Sequence, residues 1–372
     1  MMNIGFFLPS YEGKLSGIGR YAKGILEKID NKQICKYCFG QNFLNTANMI
    51  EMHSLYERNF MSDQAVREKY LLCKLANIDV VYSFFAPILF ENNSRIKSIL
   101  TIHDLAPLVN MEWHGYNQRM YDLFDIQIRK SAHIANKIVA VSEYTRKTIV
   151  DFYGISEDKI EIATPAIASD LVDSKVTNKD IQEVRKKFAI ERDYILSICT
   201  FEPRKNLVSL IEAYGIYREK NKESDIQLVL VGKLGWNFSN ILNKVNQSKY
   251  KADIILTDYV SDYELGVLYM DALVFAYVSF FEGFGMPVLE ALHYGKAVLT
   301  SDTTSMPEVG GDVVCYCNPY ELESVYSSLE HLLEDVEYRN VLQKKAKAQA
   351  EKFSYKKSAK KVEEILLTLE RG

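Results

Sequence analysis

Short apolar runs alternate with stretches of helical period along the whole chain. The first half carries NIGFFLP (3–9), VVYSFF (80–85), SILTIHD (98–104), KIVAVSE (137–143) and KIEIATP (159–165). The second half carries DYILSICT (193–200), QLVLVG (227–232), DIILTDYV (253–260), ALVFAYVS (272–279), AVLTSD (297–302) and VVCYCN (313–318). Many of these runs are apolar on both faces and rich in Val and Ile, as strands inside a covered parallel sheet are. Helical patterns such as NLVSLIEAYGIYREK and LGVLYMDA lie between them and complete β-α-β units. The alternation breaks at about 168–190, where SDLVDSKVTNKDIQEVRKKFAIE is polar and carries no strand. The pattern predicts an α/β protein of two doubly wound domains, 1–172 and 185–353, joined by that linker. The tail FSYKKSAKKVEEILLTLERG predicts an amphipathic helix from about 354 to 372, with Val362, Ile365, Leu366 and Leu369 on one face.

A length of 372 residues suits two cores better than one. Hydrophobic residues at 48% and charged residues at 25% are ordinary for a globular protein, and a net charge of -4 argues against a nucleic-acid binder. The opening MMNIGFFLPSYEG lacks the basic and long apolar regions of a secretory leader, and no window approaches 18 uncharged apolar residues. The expectation is a cytoplasmic protein that could touch the inner face of a membrane. Six cysteines are present. The Cys35–Cys38 pair sits in an alternating stretch that aims the two thiols at opposite faces, and Cys315 and Cys317 have no second ligand pair nearby. They read as buried reduced thiols, and no metal is expected.

Several turns at strand ends carry candidate chemistry. In LSGIGRY, Gly17 and Gly19 open a helix after the first strand, where backbone N–H groups and the helix dipole favour an anion. The dinucleotide fingerprint is incomplete, because position 22 is Ala22 and no acidic residue follows about 20 residues on. The plain alternative is a tight turn. In TFEPRKNL, Arg204 and Lys205 stand just before a helix starting near Asn206; two cations at a helix start make a diphosphate site, and a solvated basic pair on a turn is the plain alternative. In LVLVGKLGWN, Lys233 and Trp236 follow Gly232, in either a ligand loop or a surface turn. In TDYVSDYEL, Ser261 or Asp262 can cap a helix, and the backbone of Tyr259 and Val260 could hold a base edge. In TIHDLAP, His103 ends an apolar strand, where it is placed to hydrogen-bond a reacting group; a structural histidine is the plain alternative.

The most informative stretch is FFEGFGMPVLEALHYG, Phe280 to Gly295. Gly283 and Gly285 allow a tight turn into a helix that starts near Pro287. Glu282 lies before the turn and reads as facing a ligand crevice. Glu290 lies one turn into the helix. The two carboxylates are spaced to grip separate parts of one ligand, such as neighbouring hydroxyls of a sugar or ribose. Two acids complementing a helix dipole are the plain alternative.

Nearly the whole chain resembles the retaining glycosyltransferases of the GT-B fold in glycosyltransferase family 4, the group 1 transferases. LSGIGRY, TIHDLAP, VAVSEYT, TFEPRKNL, LVLVGKLGWN, DYVSDYEL and the closing helix carry the resemblance, and above all Glu282 and Glu290 with seven residues between them. The resemblance implies two Rossmann-like domains facing across a cleft, with the last helix returning to the first domain. It implies Arg204 and Lys205 on the donor diphosphate, Glu290 on the ribose, and Tyr259 and Val260 on the base. Glu282 and the backbone of Phe284, Gly285 and Met286 would hold the donor sugar. His103 would face the reacting centre, and Gly17 and Gly19 would approach phosphate or acceptor. Catalysis would use no metal and no cofactor. Two departures are present: ATPAIASD replaces the Asn-Gly pair frequent after the last first-domain strand, and Asp258 replaces a frequent Gly.

TFEPRKNL with VGKLGWN is most similar to bacterial mannosyl- and deoxyhexosyltransferases of surface polysaccharides. The expected donor is therefore GDP-mannose, ahead of a UDP- or dTDP-sugar. The expected acceptor is an oligosaccharide on a polyprenyl diphosphate. The segment QNFLNTANMIEMHSLYERNFMSDQAVREKYLLCKL could contact acceptor or membrane, and helical packing explains it as well. A non-catalytic two-lobed sugar-nucleotide-binding partner is the remaining alternative.

Overall fold

A computed structural model describes residues 1–8, 16–39, 49–50, 73–85, 95–115, 117–167 and 176–370. Most of the 41–75 segment singled out above lies outside them. The chain divides into two compact units. One comprises Met1–Leu108, Asn117–Ala166 and Ser354–Gly372; the other comprises Val109–Tyr116 and Ile167–Phe353.

The first unit holds β1 (Met2–Phe7), β2 (Ile34–Phe39), β3 (Met49–Ile50), β4 (Val80–Ser83), β5 (Lys97–Ile102), β6 (Lys137–Ala140) and β7 (Ile160–Ile162). They form one parallel sheet in the order β3-β2-β1-β4-β5-β6-β7. Phe7, Phe39, Val81, Leu100 and Ile138 build its core with helix residue Ile149. The closing helix Tyr355–Glu370 belongs to this unit. Val362 and Leu366 are fully buried, and Ser358 Oγ donates to Thr164 O at 2.7 Å. That is the apolar face anticipated for the tail.

The second unit holds β8 (Tyr194–Ile198), β9 (Gln227–Val231), β10 (Ile254–Thr257), β11 (Val274–Tyr277), β12 (Ala297–Ser301) and β13 (Cys315–Cys317). These are also parallel, in the order β10-β9-β8-β11-β12-β13. Long apolar strands such as β9 are buried along their whole length, as their unbroken Val and Leu content requires.

Three expectations need correction. The strands are shorter than the apolar runs: His103 and Asp104, for instance, lie past the end of β5. Their polar side chains cannot continue a strand buried on both faces. The polar stretch at 168–190 is only partly a linker. Asn178–Phe188 is a helix of the second unit, begun by a reciprocal cap between Thr177 and Asp180 and seated through buried Val184. One buried apolar residue in three turns was too sparse to show against its charges. Val109–Tyr116 groups with the second unit, although 1–172 was read as one domain. Trp113 stacks on Phe280 with ring centroids 6.0 Å apart, and Trp236 Nε1 and Asn237 Nδ2 donate to the carbonyls of Trp113 and Glu112. Trp236 is thereby committed to a structural contact. All six cysteines are unbridged, and only Cys35 is not fully buried.

Candidate active site

In the second unit the strand order turns back between β8 and β11. Loops leaving the carboxyl ends of two such strands diverge and open a crevice, the usual ligand position in a doubly wound sheet. After β8 comes Glu202, then one 3₁₀ turn, Pro203–Lys205. Asn206 follows in the left-handed conformation (φ 55°) and leads into the helix Leu207–Lys220. Its amide Nδ2 donates to Val278 O at 3.2 Å and Pro319 O at 2.9 Å, and Phe280 N donates to Arg204 O at 2.9 Å. The β8 and β11 loops are thus stitched together before any charged side chain is considered.

That stitching brings four charged groups into one buried cluster. Arg204 donates through Nε and Nη2 to a single oxygen of Glu202, at 3.1 and 2.9 Å. Its Nη1 donates to Phe281 O at 3.0 Å and to Glu282 Oε2 at 3.2 Å. Lys205 Nζ donates to Glu282 Oε1 at 2.6 Å and to the Tyr277 hydroxyl at 2.9 Å. The Tyr277 hydroxyl in turn donates to Glu282 Oε1 at 2.9 Å. The side chains of Arg204, Lys205 and Glu282 are 11%, 10% and 10% exposed, so water screens them little. Glu282 is therefore not the open carboxylate expected from its place before the turn. It is the shared counter-ion of both cations.

Burial is the largest influence on both carboxyls and pushes both upward. For Glu282 the adjacent Arg204 and Lys205 charges outweigh it and hold the pKa at about 2. Glu202 stays above its ordinary value, because it touches one cation directly, stands 3.9 Å from Lys205 and feels the Glu282 charge. Beneath the cluster, burial pushes the Cys199 thiol up to about 12, so it carries no thiolate at neutral pH.

The turn after β11 is gripped from β12. Glu282 N donates to Thr304 Oγ1 at 3.3 Å, and Ser305 Oγ donates to Glu282 O at 3.0 Å. Thr304 adopts φ 58°, a strained conformation for a β-branched residue and one that clusters at functional sites. Gly285 starts the helix Met286–His293 at φ 100°, where a Cβ would lie 2.2 Å from Met306 Cε. Only glycine serves there. At this helix end Pro287 carries no N–H and Val288 N donates back to Gly285 O at 3.1 Å, which leaves the N–H groups of Gly285 and Met286 at the mouth of the turn. Glu290 lies further in, 6% exposed, and accepts from the Tyr269 hydroxyl at 2.9 Å.

At the far side of the sheet, Ser261 caps the helix Asp262–Asp271 reciprocally with Glu264, as one reading of that stretch expected. Tyr259 is 44% exposed, Val260 is buried, and Lys233 Nζ stands 5.9 Å over the Tyr259 ring. Gly232 ends β9 at φ 147°, where a Cβ would fall 1.8 Å from Cys199 O, so β8 and β9 approach too closely for a side chain.

Three of the candidate site residues belong to the first unit. His103 is half-buried after β5, edge-on to Tyr21 at 5.2 Å, with Nε2 2.8 Å from Phe84 O. A carbonyl only accepts, so Nε2 is the protonated nitrogen and Nδ1 of the neutral ring carries the lone pair. Burial lowers the His103 pKa against that hydrogen bond and the Asp104 charge, so the ring is neutral at pH 7. Gly17 begins the helix Gly17–Lys28 in open space, but the Gly19 N–H is taken by the Ser16 hydroxyl at 3.2 Å.

Arg204, Lys205 and Glu282 thus meet within hydrogen-bond distance, whereas Glu290 lies within the helix Met286–His293 and Tyr259 and Val260 on the loop after β10. Glu202, Tyr277, Thr304 and Ser305 were not singled out from the sequence. Glu202 had a visible signal, an acid two residues before a cation pair. Tyr277 had none, because a tyrosine in an apolar strand reads as core. Among the described residues no group of three or more His, Cys, Asp or Glu is placed to hold a metal.

Two family models match, glycosyl transferases group 1 over residues 180–349 and glycosyltransferase family 4 over residues 50–171. The O-antigen chain mannosyltransferase B of Escherichia coli is 29% identical over 275 residues, 74% of this chain and 71% of its own length. The serotype-specific mannosyltransferase WbdA of Escherichia coli is 28% identical over 270 residues, 72% of this chain but 33% of its own length. The chain therefore spans about a third of that relative. The structure of Anabaena HepE in complex with UDP-glucose superposes with a TM-score of 0.75 at 14% identity, covering 99% of this chain and 100% of HepE. That likeness speaks for the fold, two Rossmann-like units of the GT-B type. With both units matched, the chain belongs to the group 1 transferases of glycosyltransferase family 4 and is a glycosyltransferase.

Proposed function

We propose that the protein moves a mannose from GDP-mannose, with retention at the anomeric carbon, onto a lipid-linked oligosaccharide during surface-polysaccharide synthesis. The observation that carries the reading is the buried Arg204–Lys205 pair at the switch point of the second sheet. A fork and a point charge, both fixed, suit the two phosphates of a nucleoside diphosphate. They also offset the charge that grows on the leaving group, so we propose that transfer needs no metal. The helix start at Phe284–Met286 suits sugar hydroxyls, Glu290 the ribose, and the Tyr259 loop the base. In the first unit, Nδ1 of neutral His103 suits a hydrogen bond from a reacting hydroxyl. Mannose as the sugar follows the named activities of the relatives above.

The polyprenyl diphosphate of the acceptor would bring the protein to a membrane surface as a peripheral visitor. Among the described residues no helix is long and apolar enough to cross one. A UDP-sugar is the second reading, favoured by the UDP-glucose bound to HepE.

Thermal unfolding with GDP, UDP, dTDP and their common sugar conjugates, with and without EDTA, tests this. A ligand that binds only the native state stabilises it by about 2.7 kcal/mol at a hundredfold excess over Kd, and so raises the melting temperature. A selective, EDTA-insensitive shift with GDP and GDP-mannose is expected. A selective UDP or dTDP shift overturns the donor, and loss of the shift in EDTA overturns metal independence.

A further inference from the structure

Glu202 is the least expected member of the cluster. An anion-binding site has no evident use for a second carboxylate 2% exposed beside its arginine. Its contacts show what it does. One oxygen receives both Nε and Nη2 of Arg204, along the edge opposite the one held by Phe281 O and Glu282. Two opposed edges fix the plane of a guanidinium; one edge leaves it to turn about its Cδ–Nε bond. The Glu202 carbonyl also accepts from Lys205 N at 3.1 Å, closing the turn that carries both cations.

We propose that Glu202 is a positioning residue, holding the Arg204 guanidinium in the orientation in which it meets the donor diphosphate. The proposal rests on the diphosphate reading of Arg204 above. Without Glu202 the arginine has one buried carboxylate left, Glu282, and collapses onto it. The carboxylate then competes with the phosphate for the same N–H groups. Substrate affinity suffers although Arg204 keeps its charge and Lys205 and Glu282 are unaltered.

A double-mutant cycle on the full chain tests this, with Kd for GDP and UDP and donor KM and kcat measured for each variant. Glu202→Ala is expected to weaken nucleotide binding and raise donor KM by about 10- to 100-fold, the range for a hydrogen bond to a charged group. Glu202→Gln keeps an oxygen where Arg204 donates and is expected to stay within about threefold of wild type, since the geometry survives. In an Arg204→Ala background, Glu202→Ala is expected to change neither Kd nor KM further. Equal losses in both backgrounds, or a Gln variant as impaired as Ala, would overturn the proposal. An Arg204→Ala variant that binds both nucleotides normally would instead remove the diphosphate reading itself. If Glu202→Ala fails to fold, the Gln variant and its cycle with Arg204→Ala still decide, because strong impairment of Gln alone refutes a role in orientation.

Discussion

Arg204→Ala is expected to lower kcat/KM for the donor by about 100- to 1,000-fold, the usual loss when one fixed donor to a developing charge is removed. The argument is geometric before it is electrostatic. The guanidinium donates hydrogen bonds to Glu202, Phe281 O and Glu282, so it needs little reorganisation when a phosphate arrives. Arg204→Lys separates charge from shape. It keeps the cation but loses the fork that Glu202 and Glu282 share, and it is expected to recover only a minor part of the loss. The substitution has a second consequence. Arg204 is the first charge opposing the burial of Glu282, so its removal should raise that carboxyl from about 2. A titration of the carboxyl by NMR or infrared difference spectroscopy checks this independently of activity. Unchanged donor kinetics with a folded protein would place the phosphates elsewhere.

The fold was legible because β strands buried on both faces leave long Val- and Ile-rich runs; all six strands of the second unit and five of the seven of the first carry one, whereas β2 and β3 do not stand out as such runs. The helix Asn178–Phe188 was not legible, since a single buried valine per three turns gives no clear period. Val109–Tyr116 was not either. Sequence neighbours predict domain membership only when the chain stays within a domain, and the packing of Trp113 on Phe280 is not a local property. At the site, residues at loop positions were visible because a cation pair or a Gly-x-Gly turn at the carboxyl end of a parallel strand sits where such sheets bind ligands. What stayed hidden was how they are paired. Glu282 was read as a ligand-facing acid because its partners are 77 and 78 positions away, across the junction of β8 and β11. The strained Thr304 was equally invisible, because nothing in SDTTSMPEV marks one threonine as left-handed.

Glu282→Gln is expected to be the most destabilising single substitution in the cluster. It is nearly isosteric, so no cavity confuses the result. It removes the charge shared by two buried cations and leaves Arg204 and Lys205 with Glu202 alone. Breaking a buried pair by neutralising one partner costs about 3–5 kcal/mol. Linkage gives a similar size. Arg204 and Lys205 hold the carboxyl at about 2, well below its ordinary value of 4.5, a difference on the order of 3 kcal/mol of native-state stabilisation. The sign follows from the depressed value. This stabilisation is present above about 4.5 and is lost as the pH falls toward about 2. Glu202, whose value is raised, contributes in the opposite sense over the low-pH range and partly offsets the slope. The variant should therefore melt about 10 °C lower at pH 7, and the difference from wild type should shrink below pH 4. GDP or UDP should also stabilise the variant more than it stabilises wild type, because phosphate oxygens supply the missing negative charge. A variant that melts like wild type would mean the two cations are not balanced by Glu282. A destabilised variant without a larger nucleotide effect would mean the phosphates do not reach them.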